Sequence, residues 1–97
     1  MSPISMSRAA AEEFAALVLS WLTEDHARIG GFLAWSGLAP EELRAGLAEG
    51  TLLPAVLDYL TLDEAMLLEA CQDLDYPPET PMTARQSLPG GEIIHWT

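Results

Sequence analysis

Residues 7–25 read SRAAAEEFAALVLSWLTED, and this stretch decides the fold class. Ser7 places a short oxygen acceptor just ahead of an apolar-periodic run, where it can pair an otherwise orphaned N–H of a helix's first turn. Over roughly residues 8 to 24, Ala10, Phe14, Leu17, Val18, Trp21 and Leu22 share one stripe about 140° wide at 100° per residue. Glu12, Glu13, Ser20 and Thr23 take the other side. The two glutamates also suit the first turns, where the helix dipole favours negative charge. The pattern predicts an amphipathic helix with Trp21 in the core.

Outward from that helix the chain is a series of similar short units. Asp25 predicts a cap for a second helix over about 26 to 36, with Ile29, Phe32 and Leu33 inward and Gly37 ending it in the left-handed conformation. Gly30 and Gly31 weaken this helix by about 1 kcal/mol each relative to Ala, and such a pair signals the close passage of another helix. Pro40 opens a third helix, followed by Glu41 and Glu42 at its positive end. Leu43 and Leu47 are its expected inward pair, and Gly50 its stop. Thr51 reads as the cap of a fourth helix, LLPAVLDYL, with Pro54 in the first turn, where a missing N–H costs nothing. Thr61 and Glu64 read as a capping box for a fifth helix over 62 to 74. That segment, LDEAMLLEACQDL, is apolar nearly all round, which predicts a helix central to the domain, or one shared with a second copy in a homodimer. DYPPETPM is a Pro-rich break, after which a sixth helix runs from Pro78 or Pro81 to Leu88.

The expected architecture is all-α: one compact domain of five or six short helices at mixed angles. Residues 1–7 read as a flexible N-terminus, 8–88 as the helical domain and 89–97 as a C-terminal tail. The tail, LPGGEIIHWT from Leu88, has a helix stop, a reversal point at Gly90-Gly91, then Ile93, Ile94 and Trp96. It is expected to pack back, across the first helix or the gap at Gly30-Gly31, because 97 residues supply a modest core. A free docking peptide is the competing reading.

Composition excludes several functions. The chain holds 15 acidic residues, four arginines and no lysine, for a net charge of −11. Nucleic acid and anionic membrane surfaces are disfavoured partners, since both need clustered cations. Disorder is disfavoured too, because 49 % of residues are aliphatic or aromatic. The start MSPISMSRAAAEE lacks a basic region followed by an apolar run, so no signal peptide is read. The longest apolar stretch, FAALVLSWL, is too short to span a bilayer. A cytoplasmic protein is expected.

Motif chemistry is sparse. FLAWSGLAPEELRAGL, residues 32–47, has the rhythm of a helix-turn-helix. The helix that would enter DNA carries Glu41, Glu42 and Glu49 against one Arg44, so structural packing is read there and DNA binding is not. His26, His95 and Cys71 show no metal-ligand spacing, and no metal or cofactor is expected. Cys71 reads as a small core residue with no Lys, Arg or His within twelve residues in sequence. Adjacent carboxylates such as Glu12/Glu13 point about 100° apart and cannot share a proton, and no nucleophile–base motif occurs, so no catalytic residue is assigned.

The segments WLTEDHARIGGFLAWSGLAPEELRAGL, AVLDYLTLDEAMLLEAC, PPETPMTARQSLPGG and HWT together resemble a family of small acidic helical proteins of alphaproteobacteria, catalogued as a domain of unknown function. The resemblance runs from about residue 12 to the end. Its more specific parts are the Trp21-Leu22 pair, the Gly37-Leu38 turn and the Leu88-Pro89-Gly90-Gly91 break. It implies a bacterial cytoplasmic helical domain and no activity.

Surface for binding protein remains, with Trp35, Tyr59, Tyr76, Ile93, Ile94 and Trp96 as candidate contact residues. Trp35 is expected to be partly buried beside a helix end, and Tyr76 to cover one. The leading expectation is a protein–protein interaction or regulatory adaptor module with a basic or mixed-charge partner. An acidic nucleic-acid mimic is the first alternative, and it requires carboxylates clustered on one face. An enzyme or small-ligand-binding domain is the second, and it requires a pocket lined by convergent polar groups.

Overall fold

A computed structural model describes residues 6–89. Six helices follow one another: α1 (Arg8–Thr23), α2 (His26–Ser36), α3 (Pro40–Glu49), α4 (Leu53–Leu60), α5 (Glu64–Leu74) and α6 (Thr80–Gln86). No strand occurs among the described residues, so the domain is all-α. Residues 1–5 and 90–97, and with them Ile93, Ile94, Trp96 and the expected fold-back of the tail, lie outside the described residues.

The local signals act as expected in the first half. Ser7 Oγ accepts from Ala10 N–H at 3.0 Å, and Asp25 Oδ1 accepts from Ala27 N–H at 2.8 Å. Gly37 ends α2 at φ 73° and Gly50 ends α3 at φ 77°, the left-handed region that a side chain disfavours. Ala39 has no capping oxygen, but Glu42 Oε1 accepts from its N–H at 2.8 Å and closes half of a capping box.

Two expected caps move. α4 begins at Leu53 rather than after a Thr51 cap, with Leu52 ahead of it making no side-chain cap bond. The cap of α5 is Asp63, whose Oδ1 accepts from Met66 N–H at 3.2 Å, not Thr61. Thr61 is already engaged: its hydroxyl donates to Asp58 O at 3.0 Å and finishes α4. The sixth helix starts at Thr80, between the two expected starts, and ends at Gln86, two residues short of the expected Leu88.

The core forms between α1 and α4, with α6 closing it and α2 and α5 on the flanks. Phe14, Val18, Leu22, Val56, Leu57 and Leu60 are fully buried. Each side chain of this kind contributes about 1.5–3 kcal/mol relative to exposure. The buried stripe of α1 is rotated from the expected one: Ala11 and Ala15 lie inside, whereas Ala10 and Leu17 are exposed. Small alanines on the centre line let neighbouring helices approach closely, and their position outweighs the greater hydropathy of Leu17.

The central fifth helix is not observed. α5 buries only Ala70 and Cys71, and Leu68 is 45 % exposed. The centre is taken by α1, the longest helix, and by α4, half of whose eight residues are buried. The expected inward pair of α3 is also split, since Leu43 touches the core and Leu47 is exposed. α3 contributes no fully buried residue, and the packing expected from the helix-turn-helix rhythm rests on the half-buried Leu38 and Leu43.

Trp21 ties three helices together. Its ring is buried and its Nε1–H donates to Asp73 Oδ2 on α5 at 2.8 Å. The Arg28 guanidinium lies 3.8 Å from the ring centroid, donates to Trp21 O, and reaches Glu69 Oε2 at 3.0 Å. Arg85 does the equivalent on the opposite flank, donating to Asp58 Oδ1 at 2.7 Å.

Candidate interaction groove

The last turn of α2 carries Phe32 and Trp35 three residues apart, and so on one side of the helix. Tyr59 of α4 packs against both. Its ring centroid lies 5.5 Å from Phe32, edge-on, and 5.4 Å from Trp35, tilted. This approach depends on Gly31, since a Cβ there would strike the Tyr59 hydroxyl. Gly30 faces open space. The close passage read from the Gly30-Gly31 pair is therefore real at Gly31 alone.

Phe32 is sealed, Tyr59 is half-buried, and Trp35 is 46 % exposed. Trp35 forms one end of a groove of about 550 Å³ between α2, α3 and α4. Its floor is Leu38, Leu52 and Ala55, and its far wall is the α3 face holding Ala45 and Gly46, with Glu42 and Glu49 on the rim. Gly46 keeps that wall close: its carbonyl accepts from Leu52 N–H at 3.2 Å, and a Cβ on it would sit 3.2 Å from Leu52 Cβ. A second, smaller groove of about 310 Å³ lies on the other side of α3, against Leu19 of α1, with Leu43, Leu47 and Arg44 along it. α3 is thus a rib between two apolar grooves, which accounts for its lack of buried residues.

Of the six residues expected to contact a partner, the fold brings Trp35 and Tyr59 together. Tyr76 sits elsewhere, its ring edge-on to Phe14 with centroids 4.8 Å apart, covering the core beyond the end of α5. Leu38, Leu52, Ala55, Glu42 and Glu49 were not among the expected contacts. One signal for them was available: PEELRAGLAEG offers only two leucines four residues apart, too narrow a stripe to seat a helix firmly.

Among the described residues, no group of three His, Cys, Asp or Glu side chains is placed to hold a metal. No buried side-chain polar atom there lacks a hydrogen-bond partner. Cys71 is buried; its burial pushes the thiol above the usual range, and the nearby charge of Glu79 adds to this. No helix among the described residues is long and apolar enough to cross a membrane.

No curated protein and no solved structure matches the chain. A family model does, over residues 8–91, and it spans all six helices together with the Pro89-Gly90-Gly91 break. On that match the chain belongs to the DUF3572 family, described as a protein of unknown function.

Proposed function

We propose that this chain is a protein–protein interaction module whose partner seats in the groove between α2, α3 and α4. The observation that carries this reading is the half-exposed Trp35 at the end of an apolar groove, backed by the Phe32–Tyr59 pair. A large aromatic held by packed neighbours at the edge of a concavity has the character of an interface anchor, because little conformational freedom is lost when a partner covers it. Isolated exposed leucines elsewhere are ordinary on a soluble surface. Trp35 differs from them in being held by packed aromatic neighbours, Phe32 and Tyr59, beside a cavity.

The acid distribution favours this over nucleic-acid mimicry. Glu12 pairs with Arg8, Asp58 with Arg85 and Glu69 with Arg28, on α1, α4 and α5 respectively. Asp25 and Asp63 cap helices. These carboxylates are spread over several elements and have local structural work, where a mimic needs one phosphate-like array.

The test is affinity capture at low and moderate salt with three baits: the unchanged chain, Trp35→Ala and Leu68→Ala. A partner retained by the first and third and lost by the second supports the groove. Equal retention by all three, or loss only with Leu68→Ala, overturns it. The second outcome would favour a second reading, in which copies associate across α5, where Leu62 and Leu68 are 66 % and 45 % exposed. A solution mass near 10.5 kDa at high micromolar concentration would reject that homodimer.

A further inference from the structure

We infer that the occupant of the α2–α3–α4 groove is a short basic amphipathic helix of a partner protein, its apolar side on Trp35 and Leu52 and its cations at Glu42 and Glu49. This rests on the reading of the groove as a docking site and names what it receives.

The long wall of the groove is α3. Glu42 and Glu49 stand on it seven residues apart, close to two full turns, so both face the same side about 10.5 Å apart along the axis. A partner helix repeats that spacing between its own residues seven apart. An extended strand presents same-side residues about 6.7 or 13 Å apart, and neither matches. The spacing favours a helix laid along α3 over a strand, which would miss it by about 3–4 Å.

Charge selects its sign. Among the described residues, no basic side chain lines this groove, and Arg44 of α3 faces the other one. Glu42 is held in place through Oε1, which accepts from Ala39 N–H at 2.8 Å, leaving its second oxygen for a cation. Glu49 lies in the last turn of α3, at the negative end of the helix dipole, and no basic residue of that turn offsets it. That is an unfavourable place for a carboxylate in the free protein. A cation from a partner converts the same position into a favourable one.

The probe is a stapled helical peptide with leucines four residues apart on one face and lysines seven apart on its flank. Two controls carry the same composition broken by proline, and glutamates in place of the lysines. Binding is read by the anisotropy of a dye on the peptide. The basic helix should bind, more weakly as salt rises, and the acidic helix at least tenfold more weakly. Glu42→Gln with Glu49→Gln should weaken the basic helix about three- to tenfold, the scale of two exposed ion pairs. The same double variant should melt at a nearly unchanged temperature, since glutamine keeps the Ala39 cap and the dipole stabilisation lost at Glu42 is offset by the relief at Glu49. Loss of affinity without loss of stability is what a merely structural role would not produce.

Equal affinity for the acidic helix, for the proline-broken peptide, or by the Gln variant overturns the inference, as does no binding of any peptide. The underlying reading fails separately. If Trp35→Ala binds the basic helix as well as the unchanged chain does, the groove is not the docking site. If Trp35→Ala abolishes binding while the two glutamates are indifferent, the groove stands and the charge selection falls.

Discussion

Adjacent glycines in α2 should respond to the same substitution in opposite directions. A Cβ at Gly30 meets nothing within 4 Å, so Gly30→Ala gains helix propensity alone, about 0.5–1 kcal/mol. For a domain of this size that raises the melting temperature by roughly 2–8 °C. A Cβ at Gly31 collides with the Tyr59 hydroxyl. That oxygen ends a side chain, but its ring is wedged against Phe32 and Trp35 and cannot swing away without breaking both contacts. Overpacking of this kind costs about 1–3 kcal/mol, which leaves Gly31→Ala a net loss of up to about 2.5 kcal/mol after the propensity gain. Tyr59→Phe removes the colliding atom, and the next one, Tyr59 Cζ, lies at an ordinary 3.7 Å. In that background Gly31→Ala should stabilise, giving a coupling of about 1–3 kcal/mol in the double-mutant cycle. Urea unfolding followed by circular dichroism measures all four species. A coupling below about 0.5 kcal/mol, the level of non-interacting sites, would refute the α2–α4 packing on which the groove depends.

Ser7→Ala should destabilise by about 1 kcal/mol through loss of the α1 cap, and Ser7→Asp should restore it in chemical denaturation. Trp21→Phe should cost about 0.5–1.5 kcal/mol beyond the change in ring size, because the exposed Asp73 exchanges its indole donor for water. Asp73→Ala in that background should then cost much less than it does alone. The Cys71 thiol has a folded pKa raised above its unfolded value, so its contribution is fully present below the ordinary thiol value of 9.0 and is lost as pH rises through the folded value. Stability should therefore fall with pH in that alkaline window, and Cys71→Ala should flatten the fall in denaturation curves taken across it.

Helix ends were readable where one residue type answers one local need. Ser7 and Asp25 satisfy orphaned N–H groups, Pro40 removes one, and Gly37 and Gly50 take left-handed turns, and the fold uses each of them so. The α4–α5 boundary was misread because two acceptors compete within three residues, and Thr61 is drawn back to Asp58 O. Burial was less legible than helicity. Ala11 and Ala15 earn their place by size, which hydropathy ranks low, and the leucines of α5 advertise a core that α1 and α4 had already filled. Trp35 and Tyr59 were visible as aromatics. Their meeting was not, since it depends on α4 crossing α2 at Gly31. The groove itself follows from what α3 fails to bury, a property of the assembled helices rather than of its own eleven-residue neighbourhood in the chain.

The central claim is that a partner covers Trp35, and photocrosslinking inside cells tests it most directly. A benzophenone side chain placed at position 35 reports on the groove, and the same group at positions 68 and 82, both exposed apolar sites, reports on the rest of the surface. A partner seated in the groove gives a discrete covalent adduct with another protein from position 35 and none from 68 or 82. Adducts from position 68 or 82 with none from 35 would contradict that claim.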